Sequence, residues 1–170
     1  MTETMNPTDR PAPSADEFAE RLFGSTLATA ETMSVYLGER LGWYRCLAES
    51  GPLTADGLAE RTDTNARYAR EWLEMQSAFG ILDADLTTRP HTFAISPGVA
   101  EVLTDTTSLS YLGALPRMFA ASARHLPELL DAYRNGGGVS WETLGADARE
   151  CQADLNRPWF DARLAPALAG

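Results

Sequence analysis

The stretch from Gly51 to Pro97 constrains the fold more than any other, because two helix signals and a hairpin signal follow one another without a gap. Gly51-Pro52 halts any preceding helix, and Leu53 and Thr54 then supply a staple and an N-cap for a short helix through Arg61, with Leu58 and Ala59 turned inward. Thr62-Asp63-Thr64-Asn65 breaks that helix. A second helix is predicted from about Thr64 to Phe79, with Tyr68, Trp72, Met75 and Phe79 at spacings of four, three and four on its packed face and Gly80 as its terminator. Ile81-Leu82-Asp83 and Thr92-Phe93-Ala94-Ile95 read as short strands flanking a polar loop, Asp85 to Pro90. Two helices joined by a tight turn, the second longer, followed by a hairpin, predict a winged helix-turn-helix within a mainly α fold.

What surrounds this module is helical. Residues Met1 to Ser14 hold three prolines and no apolar period, which predicts a disordered leader. Ser14 is placed to cap a first helix, with Asp16 and Glu17 favourable at the positive end of its dipole. Between Phe18 and Leu47 the apolar residues form two stripes: Phe18, Leu22, Met33 and Leu37 on one, and Phe23, Leu27 and Ala30 on the other. A helix apolar on two faces needs two partners. Either it is the core helix of a monomer or it is shared between subunits; the second is favoured, because so small a chain offers such a helix little else to cover. The interface residues expected of a homodimer are Phe18, Leu22, Phe23 and Leu27. After the hairpin, helices are predicted over Pro97 to Leu103, about Ser108 to Tyr133 with bends or splits at Pro116 and Pro127, and about Asp147 to Leu168 with interruptions at Pro158 and Pro166. The expected division is a leader (1–14), a dimerisation helix plus winged helix (15–103), and a helical lid or linker segment (104–170).

Charge argues against the obvious use of a helix-turn-helix. The 170-residue chain carries a formal net charge of -10, and its 14 basic residues are all arginines spread along the sequence. The candidate DNA contacts are Asn65, Arg67 and Arg70, near the start of the second helix. Yet Gly51 to Pro90 holds four arginines against seven carboxylates, whereas a winged helix that binds DNA presents excess positive charge to the phosphates. A regulator responding to an apolar small molecule, with the winged helix on DNA, is therefore the second reading.

Other chemistries find little support. Cys46 and Cys151 lack any partner spacing and read as buried free thiols. His91 and His125 have no second ligand at metal-binding spacing, so no metal is expected. Gly136-Gly137-Gly138 follows a helix, whereas a phosphate-holding loop follows a strand and opens a helix. No stretch approaches the roughly 18 apolar residues of a spanning helix and no targeting segment is visible, which points to a cytoplasmic protein without membrane association. Large apolar residues gather in Leu112 to Trp159; Leu115, Met118, Phe119, Tyr133 and Trp141 are the candidates to line a pocket for a small apolar substrate.

Tyr36-Leu37-Gly38-Glu39-Arg40-Leu41-Gly42, Gly51-Pro52-Leu53-Thr54 and Thr64-Asn65-Ala66-Arg67-Tyr68-Ala69-Arg70-Glu71-Trp72-Leu73, with Gly136-Gly137-Gly138-Val139-Ser140-Trp141 and Asn156-Arg157-Pro158 further on, form a recognisable set. This set resembles the N-terminal half of a group of bacterial S-adenosylmethionine-dependent class I methyltransferases, over nearly the whole chain after the leader. The resemblance implies a winged helix used for dimerisation and scaffolding, and following helices that act as a lid over the substrate. It also implies a catalytic doubly wound sheet whose glycine-rich loop holds the cofactor. The sequence reaches Leu168-Ala169-Gly170 where that sheet would follow, and helix-type residues fill Asp147 to Gly170. The expectation is a non-catalytic portion of such an enzyme, binding no cofactor itself, with its catalytic domain missing or in another chain.

Overall fold

Ser14 opens the first helix of the computed structural model, which describes residues 12–164 and 167–168. Its hydroxyl accepts from the Glu17 amide at 3.3 Å while the Glu17 carboxylate accepts from the Ser14 amide at 2.8 Å, a reciprocal cap. The helix, α1, runs Ala15–Arg40. The part through Ala30 is a unit of its own, and every residue of it from Ala15 on is exposed, Phe23 the most among its large apolar side chains at 65%. Ser25, Thr26 and Thr29 there return their hydroxyls to backbone carbonyls four residues back, which lets polar side chains sit in a helix. The expected leader, apart from residues 12–14, lies outside the described residues, as does Pro166.

The second unit, from Glu31 onward, holds the winged helix. Helix did not continue to Leu47 as the stripes suggested: Gly42 takes φ +71, ends the run and starts α2 (Trp43–Ser50). Thr54 caps α3 (Ala55–Thr62) by accepting from the Gly57 amide at 3.1 Å, and Asn65 caps α4 (Ala66–Ala78) by accepting from the Arg67 and Tyr68 amides. The Ile81 and Leu82 amides both turn back to the Gln76 carbonyl, finishing α4. Pairing therefore starts later than predicted, with β1 (Asp83–Asp85) antiparallel to β2 (Thr92–Ala94). Phe93 also exchanges backbone hydrogen bonds with Leu53, at 2.8 and 3.0 Å, tying the wing to the turn before α3. The result is a mainly α fold with a winged helix-turn-helix and a two-stranded wing, as predicted.

Its core gathers Trp43, Tyr44, Leu47, Leu58, Trp72, Leu73, Leu82 and Phe93. The buried face of α4 is Ala69, Trp72, Leu73 and Gln76, so Tyr68 is not on it; at 61% exposure it points to solvent. Counting from Trp72 by three and four in both directions leads through Ala69 and Gln76 as readily as through Tyr68, and small or polar residues gave the true face no apolar signal. Gly38 fixes how closely the end of α1 approaches: a methyl group there would overlap the Trp72 ring and the edge of Tyr44. Inside this contact the Gln76 amide donates to the Ser34 hydroxyl at 2.7 Å and accepts from the Tyr44 hydroxyl, and the Trp72 indole donates to the Ser34 carbonyl at 3.0 Å.

After the wing, α5 (Pro97–Thr104) packs on α2. The long helix predicted from Ser108 begins only at Leu115. Residues 105–114 are held in turns by Asp105, whose carboxylate accepts from Thr107, and by the Leu112 and Gly113 amides donating to the Val102 carbonyl. The predicted helix is split, as expected, with Pro116 and Pro127 in the first turns of the two pieces, α6 (Leu115–Arg124) and α7 (Leu126–Asn135), where a missing amide costs nothing. Helix α8 (Gly145–Trp159) continues past Pro158 as a wider π-helical turn over Phe160–Leu164.

Burial pushes the Tyr44 phenol well above its usual value, with the nearby Glu31 carboxylate adding to the effect. A phenol whose folded pKa is raised keeps its stabilising contribution below the unfolded value of about 10 and loses it as pH climbs towards the folded one. Urea stability is expected to fall above pH ~10. Tyr44→Phe is expected to flatten that slope while costing about 1–3 kcal/mol at neutral pH, because the Gln76 carbonyl loses its donor. An unchanged alkaline slope in the variant would show that Tyr44 is not the titrating group.

Candidate functional site

The face that α4 would offer to DNA is an apolar groove. Leu37 of α1 and Leu41 in the turn after it, Tyr68, Trp72 and Met75 of α4, and Trp43 of α2 line this groove of about 560 Å³. Thr64, Asn65 and Glu71 supply its few polar edges. Among the residues proposed for DNA, Asn65 spends its side-chain oxygen on capping α4, and Arg67 pairs with Glu71 at 2.9 Å. Arg70 stands at a second cavity of about 260 Å³ under the wing, where Arg89 and His91 face Asp56 and Glu74. The positive charge available there is matched by carboxylates.

The five residues proposed for a substrate pocket do not line either cavity. Met118 is packed with Leu155 against a small separate core of Tyr111, Ala114 and Cys151. Leu115 and Phe119 are exposed on α6, Tyr133 stands 85% exposed on α7, and Trp141 is exposed in the following loop. With Leu126, Leu130, Trp159 and Phe160 they make α6 to α8 rich in uncovered apolar surface. The glycine run ends α7, with Gly136 at φ +80 as its cap, and no strand precedes it. Among the described residues no group of His, Cys, Asp or Glu is placed to hold a metal, and no helix is long and apolar enough to cross a membrane.

A set of charged residues that sequence reasoning passed over is brought together where α6 and α8 meet the end of α1. The Arg117 guanidinium donates to both oxygens of Glu39 and, at 2.9 Å, to Asp154. Asp147 accepts from the Tyr36 hydroxyl at 3.2 Å and lies 3.9 and 3.7 Å from Arg40 and Arg124. Glu39 holds the Arg117 proton more tightly than usual, and burial pushes up the Tyr111 phenol and the Cys151 thiol beside it. A signal existed: Arg117 and Arg124, and Asp147 and Asp154, are each seven residues apart, and Tyr36, Glu39 and Arg40 share a face, so three helices present matching charged stripes.

Residues 29–105 match the family described as Rv2258c-like winged HTH domain. No curated protein matches the sequence. Among solved structures, the human N-acetylserotonin methyltransferase in complex with SAM is similar at 23% identity and TM-score 0.61 over 86% of this chain and 43% of its own. The mitomycin 7-O-methyltransferase MmcR is similar at 25% identity and TM-score 0.63 over 86% and 45%. The riboflavin-derivative dimethyltransferase RosA of Streptomyces davawensis matches at 17% and 0.60 over 86% and 44%. The chain thus spans less than half the length of these proteins and resembles part of a methyltransferase fold, with a winged-helix domain inside it.

The exposure pattern of α4 sets a test. Tyr68→Ser is expected to change urea stability by no more than about 0.5 kcal/mol, and Trp72→Ala to cost about 3–5 kcal/mol. Equal costs at both positions would mean that the groove is closed in solution.

Proposed function

We propose that this chain is the scaffold, dimerisation and substrate-lid portion of an S-adenosylmethionine-dependent methyltransferase, with no catalytic centre of its own. The observation that carries the reading is that 86% of the chain superposes on less than half of several methyltransferases. The residues present do not fit the cofactor. A class I site sits at the carboxyl ends of parallel strands with a glycine turn after the first, whereas the one sheet among the described residues is the antiparallel wing and the glycine run follows a helix. The catalytic sheet would therefore come from polypeptide outside these residues, in the same protein or in a partner chain.

In this reading residues 15–103 hold the dimer and the winged helix, and 104–170 cover the substrate. Phe18, Leu22, Phe23 and Leu27 are uncovered, as is the groove beside Tyr68, and a second copy of the chain would bury both kinds of surface. Leu115, Phe119, Tyr133 and Trp141 would meet a small apolar substrate or the catalytic domain, with Met118 supporting them from beneath. DNA is disfavoured as a partner, because the α4 surface is apolar and its arginines are matched by carboxylates.

Titrating S-adenosylmethionine into the isolated chain in a calorimeter is expected to give no saturable heat; a clear binding isotherm would sink the assignment of the cofactor to another domain. Sedimentation should find a dimer that Leu27→Arg shifts towards monomer. An unchanged mass for that variant would place the interface elsewhere.

A further inference from the structure

The polar cluster around Arg117 joins two packed bodies whose apolar interiors do not merge. The core of the winged helix runs from Trp43 to Phe93, with Leu103 at its margin, whereas α6 and α8 pack on each other around Ala114 and Cys151 with Met118 and Leu155. Between them stand Arg117 on α6, Glu39 on α1 and Asp154 on α8, with Asp147, Tyr36, Arg40 and Arg124 alongside. Arg117 is only 11% exposed, so its charge and those of its partners have been withdrawn from water, which costs more than an apolar contact of the same shape would. An ionic junction of this kind holds two bodies in one register when closed, and unlike an interlocked apolar core it can part, because each charge regains hydration when it does.

We infer that α6 and α8 form a latched flap on the winged helix, with Arg117 as the latch and residues 105–114 as the hinge. Gly113 is the pivot. Its α-carbon lies against the Leu103 carbonyl where a side chain would collide, and its amide and that of Leu112 both donate to Val102. The hinge is thus anchored to α5 at Val102 and, through the Ser108 hydroxyl, at Glu101, and it forms turns but no helix or strand until α6 begins. When the latch opens, Arg117 leaves Glu39 and Asp147 leaves Tyr36 and Arg40, and the α6–α8 layer, still joined within by Arg117 and Asp154 and with Phe119 and Trp159 exposed, swings as a body. The inference rests on this junction and goes beyond the methyltransferase reading; it stands whether the flap covers a substrate or another protein.

Hydrogen exchange of the whole chain tests it. Arg117→Met keeps the packing and removes the charge, and should speed amide exchange in α6 and α8 by about tenfold or more while leaving α3 and α4 within about twofold. Glu39→Gln, a milder change at the same junction, should give the same selective pattern at smaller amplitude, and Arg117→Lys, which cannot bridge two carboxylates in a fork, should fall between. Arg67→Gln, which breaks an exposed pair, should leave all four helices unchanged. Unchanged exchange in α6 and α8, or equal acceleration in α3 and α4, in the Glu39→Gln chain overturns the latch. These readouts are independent of cofactor binding and of sedimentation, so failure of the latch and failure of the proposed function are separate results.

Discussion

The close crossing of α4 with the end of α1 is the contact on which the winged helix depends. Gly38 permits it by presenting no side chain to Trp72, and the Ser34–Gln76–Tyr44 hydrogen bonds then fix its register. An apolar crossing alone would tolerate sliding by a turn; a fully buried Gln76 with both ends satisfied does not, because any slip leaves polar atoms without partners in a medium that punishes this heavily. Trp43 and Tyr44, which begin α2, pack against the same Trp72, so the sharp turn at Gly42 is also set by this crossing.

From that point outward the chain is held by weaker means. The wing adds only three paired positions per strand and the extra bridge to Leu53. The α6–α8 layer has its own small core and meets the rest through ions and through the anchored Gly113. Cohesion therefore falls along the chain from an interlocked centre to a polar junction.

The winged helix was legible because its punctuation is local. Thr54, Asn65, Gly51 and Gly80 each cap or stop an element through backbone chemistry that needs no tertiary partner, and the predicted helices fall close to their places. What sequence reasoning misplaced depends on competition between neighbours. Ile81 and Leu82 looked like strand but their amides finish α4, and Ser108 to Ala114 looked helical but the Asp105 turn and the Val102 carbonyl claim those residues first. Tyr68 was assigned to the packed face on apolar spacing, whereas Ala69 and Gln76, one small and one polar, take it. The Arg117 cluster was invisible to a search for catalytic motifs, since its stripes lie on three helices up to 118 positions apart from Tyr36 to Asp154 and gain meaning only when paired.

The same displacement of Tyr68 leaves the exposed side of α4 apolar where a DNA reader would be polar. A recognition helix needs its N-terminal half to carry free polar tips above a positive backbone contact. Here Asn65 is spent on the cap, Arg67 is engaged by Glu71, and the surface between them and Leu41 is apolar enough to form a groove. Phosphate would find little to neutralise it, and water gains nothing by wetting Leu37, Leu41 and Met75. The surface is better relieved by another apolar surface, and the first unit of the chain, with Phe18, Leu22, Phe23 and Leu27 uncovered, faces the same imbalance. Burial against another protein surface would satisfy both, as the proposed dimer would do.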